Sequence, residues 1–104
     1  KQHVQMPPFT LEGLEEALRQ LKGKPVYFTL DLDVLDPSVF PGTGTPEAGG
    51  ITFPQLLKAI LAIGQLNLVG CDVNELSPVY DPSGISTATA CKIVRELLLA
   101  INIK

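Results

Sequence analysis

VYFTLDLD, at residues 26–33, is a largely apolar run that ends in Asp31 and Asp33. Such a run is typical of a parallel strand that is covered on both faces. If the strand reaches residue 33, the two carboxylates point to the same face, because side chains alternate along a strand. Two ionised acids held together repel each other unless a cation lies between them. The run therefore predicts a buried strand that ends in part of a metal site.

The flanking sequence predicts an α-β-α-β-α order and an α/β fold class. The predicted helices cover residues 11–21, 52–63 and 87–101, and the predicted strands cover residues 26–33 and 66–75. A strand-helix-strand unit implies parallel strands joined by a right-handed crossover. Ligands of such sheets bind at the carboxyl ends of the strands. Glu75, at the end of the second strand, is therefore expected near Asp31 and Asp33.

The two predicted strands alone would form a small sheet with two unpaired edges, and only three helices accompany them. Because the apolar sequences of both strands predict burial on two faces, we expect this segment to be part of a larger sheet. A long loop at residues 35–51, rich in glycine and proline, follows the first strand. Loops of this length inside a compact domain are often functional.

Composition narrows the function classes. The chain has 104 residues, which suits one domain, and a formal net charge of -3. It has no basic stripe, so nucleic acid and anionic membranes are not expected partners. Cys71 and Cys91 lack disulfide or metal-site spacing and are read as small buried side chains. Buried thiols suit a reducing cytoplasm, which is the predicted location.

The acidic residues also have structural interpretations. A lone pair of aspartates often caps a turn, and Glu75 alone could be a surface residue or a helix N-terminal partner. Asp36 and Asp81 each precede a proline and are read as turn formers. His3 is read as exposed. The loop glycines match no phosphate-binding pattern and are interpreted as shaping the loop.

Longer blocks of sequence resemble the ureohydrolase family of arginase, agmatinase and their relatives. These blocks are TLDLDVLDP (29–37), PGTGTPE (41–47), GG (49–50), DVNELSPVYD (72–81) and STA (86–88). The PGTGTPE block and the SPVYD segment are closer to the agmatinase form. Thr29 replaces the serine that is common in the family, which keeps the hydroxyl group.

The resemblance implies a three-layer α/β/α fold with a parallel sheet and a binuclear Mn²⁺ site. By motif match, Asp31 resembles the metal-bridging carboxylate, Asp33 a ligand of one metal, and Glu75 the acid that holds the substrate guanidinium. A bridging hydroxide would hydrolyse a guanidino substrate, with agmatine giving putrescine and urea. Guanidinobutyrate, arginine and formimidoylglutamate are the alternative substrates. No residue of this chain is assigned as catalytic. The family resemblance also implies a homo-oligomer, a trimer or a hexamer.

The family's other metal ligands, histidines and aspartates from earlier strands, have no counterpart in this chain. We therefore expect residues 1–104 to be the C-terminal part of a single ureohydrolase domain, inactive when isolated. The alternative is a short, non-catalytic module for binding or assembly. A glycosyltransferase that binds a metal-nucleotide through the two aspartates is disfavoured, because that fold does not predict the PGTGTPE block or Glu75.

Overall fold

The structure, a computed structural model, describes residue 11 and residues 13–102. Its elements follow the predicted α-β-α-β-α order. They are α1 (Leu14–Leu21), β1 (Pro25–Asp31), α2 (Phe53–Ile63), β2 (Asn67–Asn74) and α3 (Ile85–Asn102). Short 3₁₀ turns follow the two strands, at Leu32–Val34 and Pro78–Tyr80. Within the described residues, no helix has the length and apolarity to cross a membrane.

β1 and β2 pair in parallel, which confirms the predicted relation of the two strands. Thr29 lies opposite Asp72 and Asp31 lies opposite Asn74, so the strands end side by side. The register shifts between Val26 and Tyr27. The parallel pairing places the carboxyl ends of both strands at one edge of the sheet.

The core lies on one face of this sheet, against α2 and α3. Its buried members are Leu30, Leu32, Leu35, Phe40, Ile51, Leu56, Ile60, Ala90, Ile93 and Leu97. On the other face, Tyr27 is 62% exposed and Val69 is 66% exposed, so the described residues do not cover both faces of the strands, and the larger sheet stays a prediction. Cys91 is also exposed, contrary to prediction, and Cys71 is half-buried. The elements formed by residues 13–102 cover one face of the sheet.

The first turn of α2 is fixed by local sequence, because Thr52 and Gln55 have the spacing of a capping box. The Thr52 hydroxyl accepts a hydrogen bond from the Gln55 backbone nitrogen at 3.2 Å, and the Gln55 side chain accepts from the Thr52 nitrogen at 2.9 Å. This is the reciprocal capping box that the sequence indicates. α1 instead begins after Gly13, which has a φ of 85°, and the predicted cap at Thr10 lies outside the described residues.

Candidate functional site

The two aspartates of the opening motif lie at the carboxyl end of β1, but only Asp31 belongs to the strand. β1 ends at Asp31, and Asp33 lies in the 3₁₀ turn that follows. The predicted strand to residue 33 is therefore wrong, and strand alternation does not set the directions of the two carboxylates. Leu32, only 1% exposed, is buried in the core and leaves Asp31 exposed and Asp33 half-buried on either side.

Thr45 holds the Asp33 carboxylate. Its hydroxyl donates a hydrogen bond of 2.7 Å to Asp33 Oδ2. Sequence reasoning missed this residue because it treated the PGTGTPE block as a loop shaped by glycines. The signal was available, since two hydroxyl side chains, Thr43 and Thr45, follow the acids in the loop next to the strand end.

The loop that carries Thr45 is anchored at Gly42. The Gly42 nitrogen donates to the Ser86 hydroxyl at 2.8 Å, and the Gly42 oxygen accepts from the Ser77 nitrogen at 2.7 Å. Ser86 in turn donates to Asp81 at 2.6 Å. A Cβ on Gly42 would lie 2.6 Å from Ser86 Cβ, so only glycine fits. This contact supports the interpretation of the glycines as loop-shaping residues.

Asp36 and Asp81 organise turns, as predicted. Asp36 accepts hydrogen bonds from the Ser38 nitrogen and hydroxyl and from the nitrogens of Gly49 and Gly50. The Ser38 hydroxyl leads these contacts in lowering the pKa of Asp36 to about 2. Hydrogen bonds led by the Ser83 hydroxyl, followed by that of Ser86, likewise lower the pKa of Asp81 to about 2. Hydrogen-bond donors that point at a carboxylate stabilise its ionised form.

The lowered pKa values of Asp36 and Asp81 predict that acid destabilises the fold. Because the pKa of each is lower in the folded chain than in the unfolded chain, their stabilisation is present above pH 4 and is lost as the pH falls through 2. Together they should make unfolding take up about 1.5 protons at pH 3. The pH dependence of the free energy of unfolding, from urea titrations, measures the total proton uptake, which includes this contribution. Asp36→Asn should lower it by about 0.8, and an unchanged slope would contradict the assignment.

Glu75 follows the last residue of β2 and has an unusual backbone conformation. Its φ is 78°, and no other described residue except glycine has a positive φ. The left-handed region is costly for a side chain larger than glycine, and such residues concentrate at functional sites. Since Asn74 lies opposite Asp31, Glu75 and Asp31 leave the sheet at the same edge. The strand ends therefore lie together, while the convergence of the three acidic side chains stays a prediction.

A second polar cluster lies on the exposed face of the sheet. Asp72 accepts hydrogen bonds from Thr29 Oγ1 at 2.7 Å, from Tyr27 Oη at 2.9 Å and from the Asn74 amide. These donors, led by Thr29, lower the pKa of Asp72, and the bond to Asp72 raises the pKa of Tyr27. The apolar run at residues 26–33 predicts a buried position for Tyr27, and no local pattern in the sequence pairs Tyr27 or Thr29 with Asp72.

The acids at the edge supply only part of a metal-binding set. Among residues 11 and 13–102, no three His, Cys, Asp or Glu side chains are grouped so that they could hold a metal ion. His3 lies outside these residues. Asp31 and Asp33 offer carboxylate oxygens, which suit hard cations such as Mn²⁺, but a complete site needs further ligands.

Known proteins share this sequence and fold. The sequence profile of the arginase family matches residues 3–100. An agmatinase of Bacillus anthracis is 55% identical over 86% of this chain, and the mitochondrial guanidino acid hydrolase of Homo sapiens is 45% identical over 83% of it. The crystal structure of a candidate agmatinase from Clostridium difficile matches 90% of this chain with a TM-score of 0.82 and 51% identity.

These matches cover a limited part of the other proteins. The chain spans about a quarter to a third of the length of the curated relatives named above, 31% of the Bacillus anthracis protein and 24% of the human protein. It covers 36% of the Clostridium difficile chain. The profile match extends over nearly all of the present sequence, however, and includes both strand ends and the loop between them. This chain belongs to the arginase family.

Proposed function

We propose that this chain is the C-terminal part of a metal-dependent hydrolase that releases urea from a guanidino compound. Agmatine is the leading substrate, and putrescine would be the second product. The observation that carries the proposal is the placement of Asp31, Asp33 and the strained Glu75 at the carboxyl edge of a parallel sheet. This edge is where α/β proteins bind their ligands.

The chemistry of Asp31 and Asp33 fits a manganese centre. Asp31 would bridge the metal pair and Asp33 would bind one metal, by resemblance to the family motif. The Thr45 hydroxyl donates a hydrogen bond to Asp33 Oδ2. Contacts of this kind orient a metal ligand. Bound manganese supplies a nucleophile at neutral pH by lowering the pKa of water. The remaining ligands would come from parts of the protein that precede this chain.

Glu75 is the proposed binding group for the guanidinium. A carboxylate can accept two parallel N–H donors of a guanidinium in a fork, which fixes the plane of the group as well as its position. The left-handed backbone at Glu75 determines where this carboxylate leaves the sheet. The similarity to a guanidino acid hydrolase supports testing acidic guanidino compounds alongside agmatine.

Urea release tests this proposal. We call the proposed longer protein, which includes the segments with the remaining metal ligands, the natural-length protein. Supplied with Mn²⁺, it is expected to release urea from agmatine faster than from guanidinobutyrate or arginine. It is expected to release no formamide from formimidoylglutamate. The isolated 104 residues are expected to release none, because two carboxylates cannot hold the metal pair. Turnover by the isolated chain would contradict the assignment of an incomplete site. Absence of urea from every guanidino compound with the natural-length protein would overturn the proposed reaction.

A further inference from the structure

One carboxylate on the exposed sheet face joins the two strands that carry the candidate site. Asp72 of β2 accepts hydrogen bonds from Tyr27 and Thr29 of β1 and from Asn74 of β2. We refer to Tyr27, Thr29, Asp72 and Asn74 as the strand clamp. The proposed reaction uses none of these side chains directly.

The strand clamp lies immediately before the strand ends. Thr29 is two residues before Asp31 on β1, and Asn74 is both the register partner of Asp31 and the residue before Glu75. Two cross-strand hydrogen bonds reach Asp72, at 2.7 Å from Thr29 and at 2.9 Å from Tyr27. Thr29 is the donor nearer the strand ends, so the loss of its contact would act first on the relative position of these ends.

Glu75 needs such support because its backbone is strained. A non-glycine residue in the left-handed region persists where the surrounding structure determines its conformation. On one side of Glu75, the Asn74 side chain is bonded to Asp72. On the other side, the Ser77 nitrogen donates to the Gly42 oxygen at 2.7 Å. Hydrogen bonds thus hold the chain on both sides of Glu75.

We propose that Asp72 is a positioning residue for the substrate-binding carboxylate. Through Thr29 and Asn74 it holds Glu75 in its left-handed conformation, at a fixed place relative to Asp31. The inference rests on the proposed function, because there Glu75 binds the guanidinium. It adds a role for Asp72 and Thr29, whose side chains contact neither metal nor substrate in that proposal.

Kinetics of the natural-length protein give the first test. Asp72→Asn and Thr29→Val should each lower kcat/KM for agmatine by about 10–100-fold, the usual effect of losing a supporting contact behind a site. Most of this loss should be a rise in KM, because Glu75 contacts the guanidinium before and during the reaction. Thr29→Ser keeps the hydroxyl and should stay close to wild type. An equal loss in Thr29→Ser, or an unchanged KM in the other two variants, overturns the proposal.

Crystal structures of the same proteins give a test that does not depend on activity. The φ of Glu75 should remain positive in the wild type and in Thr29→Ser, and should become negative in Asp72→Asn and Thr29→Val. A φ that stays positive in both of the latter variants overturns the proposal, whatever the kinetics. If the wild-type protein releases no urea from any guanidino compound, the proposed function fails, while the φ of Glu75 still decides whether the strand clamp positions it.

Discussion

Substituting alanine for Gly50 is expected to lower the free energy of unfolding by about 3 kcal/mol. A Cβ on Gly50 would lie 2.4 Å from the backbone nitrogen of Asp36 and 2.7 Å from the carbonyl carbon of Leu35. Backbone atoms cannot rotate out of the way as the end of a long side chain can. The added methyl group must therefore push two chain segments apart.

The two segments have little freedom to separate. The Asp36 nitrogen donates to the Ile51 oxygen, and the Ile51 nitrogen donates to the Val34 oxygen, each at 3.0 Å. Leu35 and Ile51 are 1% and 3% exposed and belong to the core. Relief of the clash would break these hydrogen bonds or open the core, and both outcomes are costly because interiors are close-packed.

Two other glycines of the same loop provide matched controls in urea unfolding followed by circular dichroism. A Cβ on Gly44 would meet only the Tyr80 ring at 3.7 Å, an ordinary contact, so Gly44→Ala should be nearly neutral. Gly49 has open space but a φ of 94°, so Gly49→Ala should cost about 1 kcal/mol through backbone strain. The expected order of destabilisation is Gly50, Gly49, Gly44. Equal unfolding midpoints for Gly50→Ala and Gly44→Ala would contradict the packing argument.

Features determined by neighbouring residues could be predicted from the sequence. The capping box of α2 needs only Thr52 and Gln55, three positions apart, and it forms as expected. The parallel pairing follows from the order of strand, helix and strand, because a helix between two strands returns the chain to the same end of the sheet. The placement of Asp31 and Glu75 at one edge follows from that pairing.

Features that depend on distant residues could not be predicted. The hydrogen bond from Gly42 to Ser86 joins residues 44 positions apart, and no local pattern indicates that pairing. The end of β1 was misplaced for a similar reason, since Leu32 is buried in the core and begins a 3₁₀ turn that includes Asp33. Tyr27 lies in the apolar run that predicts a buried strand, but no element among the described residues covers it.

Replacing Glu75 with glycine is expected to have opposite effects on stability and on activity. The substitution relieves the left-handed backbone at φ 78°, so the free energy of unfolding should rise by about 1 kcal/mol. The side chain is exposed and makes no core contact that offsets this gain. If Glu75 binds the guanidinium as proposed, kcat/KM of the natural-length protein for agmatine should fall by about 10²–10⁴-fold, because two charge-assisted hydrogen bonds would be lost.

Glu75→Gln separates the backbone contribution from the carboxylate contribution. Glutamine keeps the strained backbone and the shape of the side chain but not the charge, so stability should stay near wild type while activity falls. Urea unfolding of the chain and urea release by the natural-length protein measure the two quantities independently. If Glu75→Gly were less stable than wild type, the left-handed conformation would not be a source of strain. If it kept its activity, Glu75 would not be the guanidinium-binding group. A gain in stability with a loss of activity would mean that the strain at Glu75 persists because the site requires a carboxylate there.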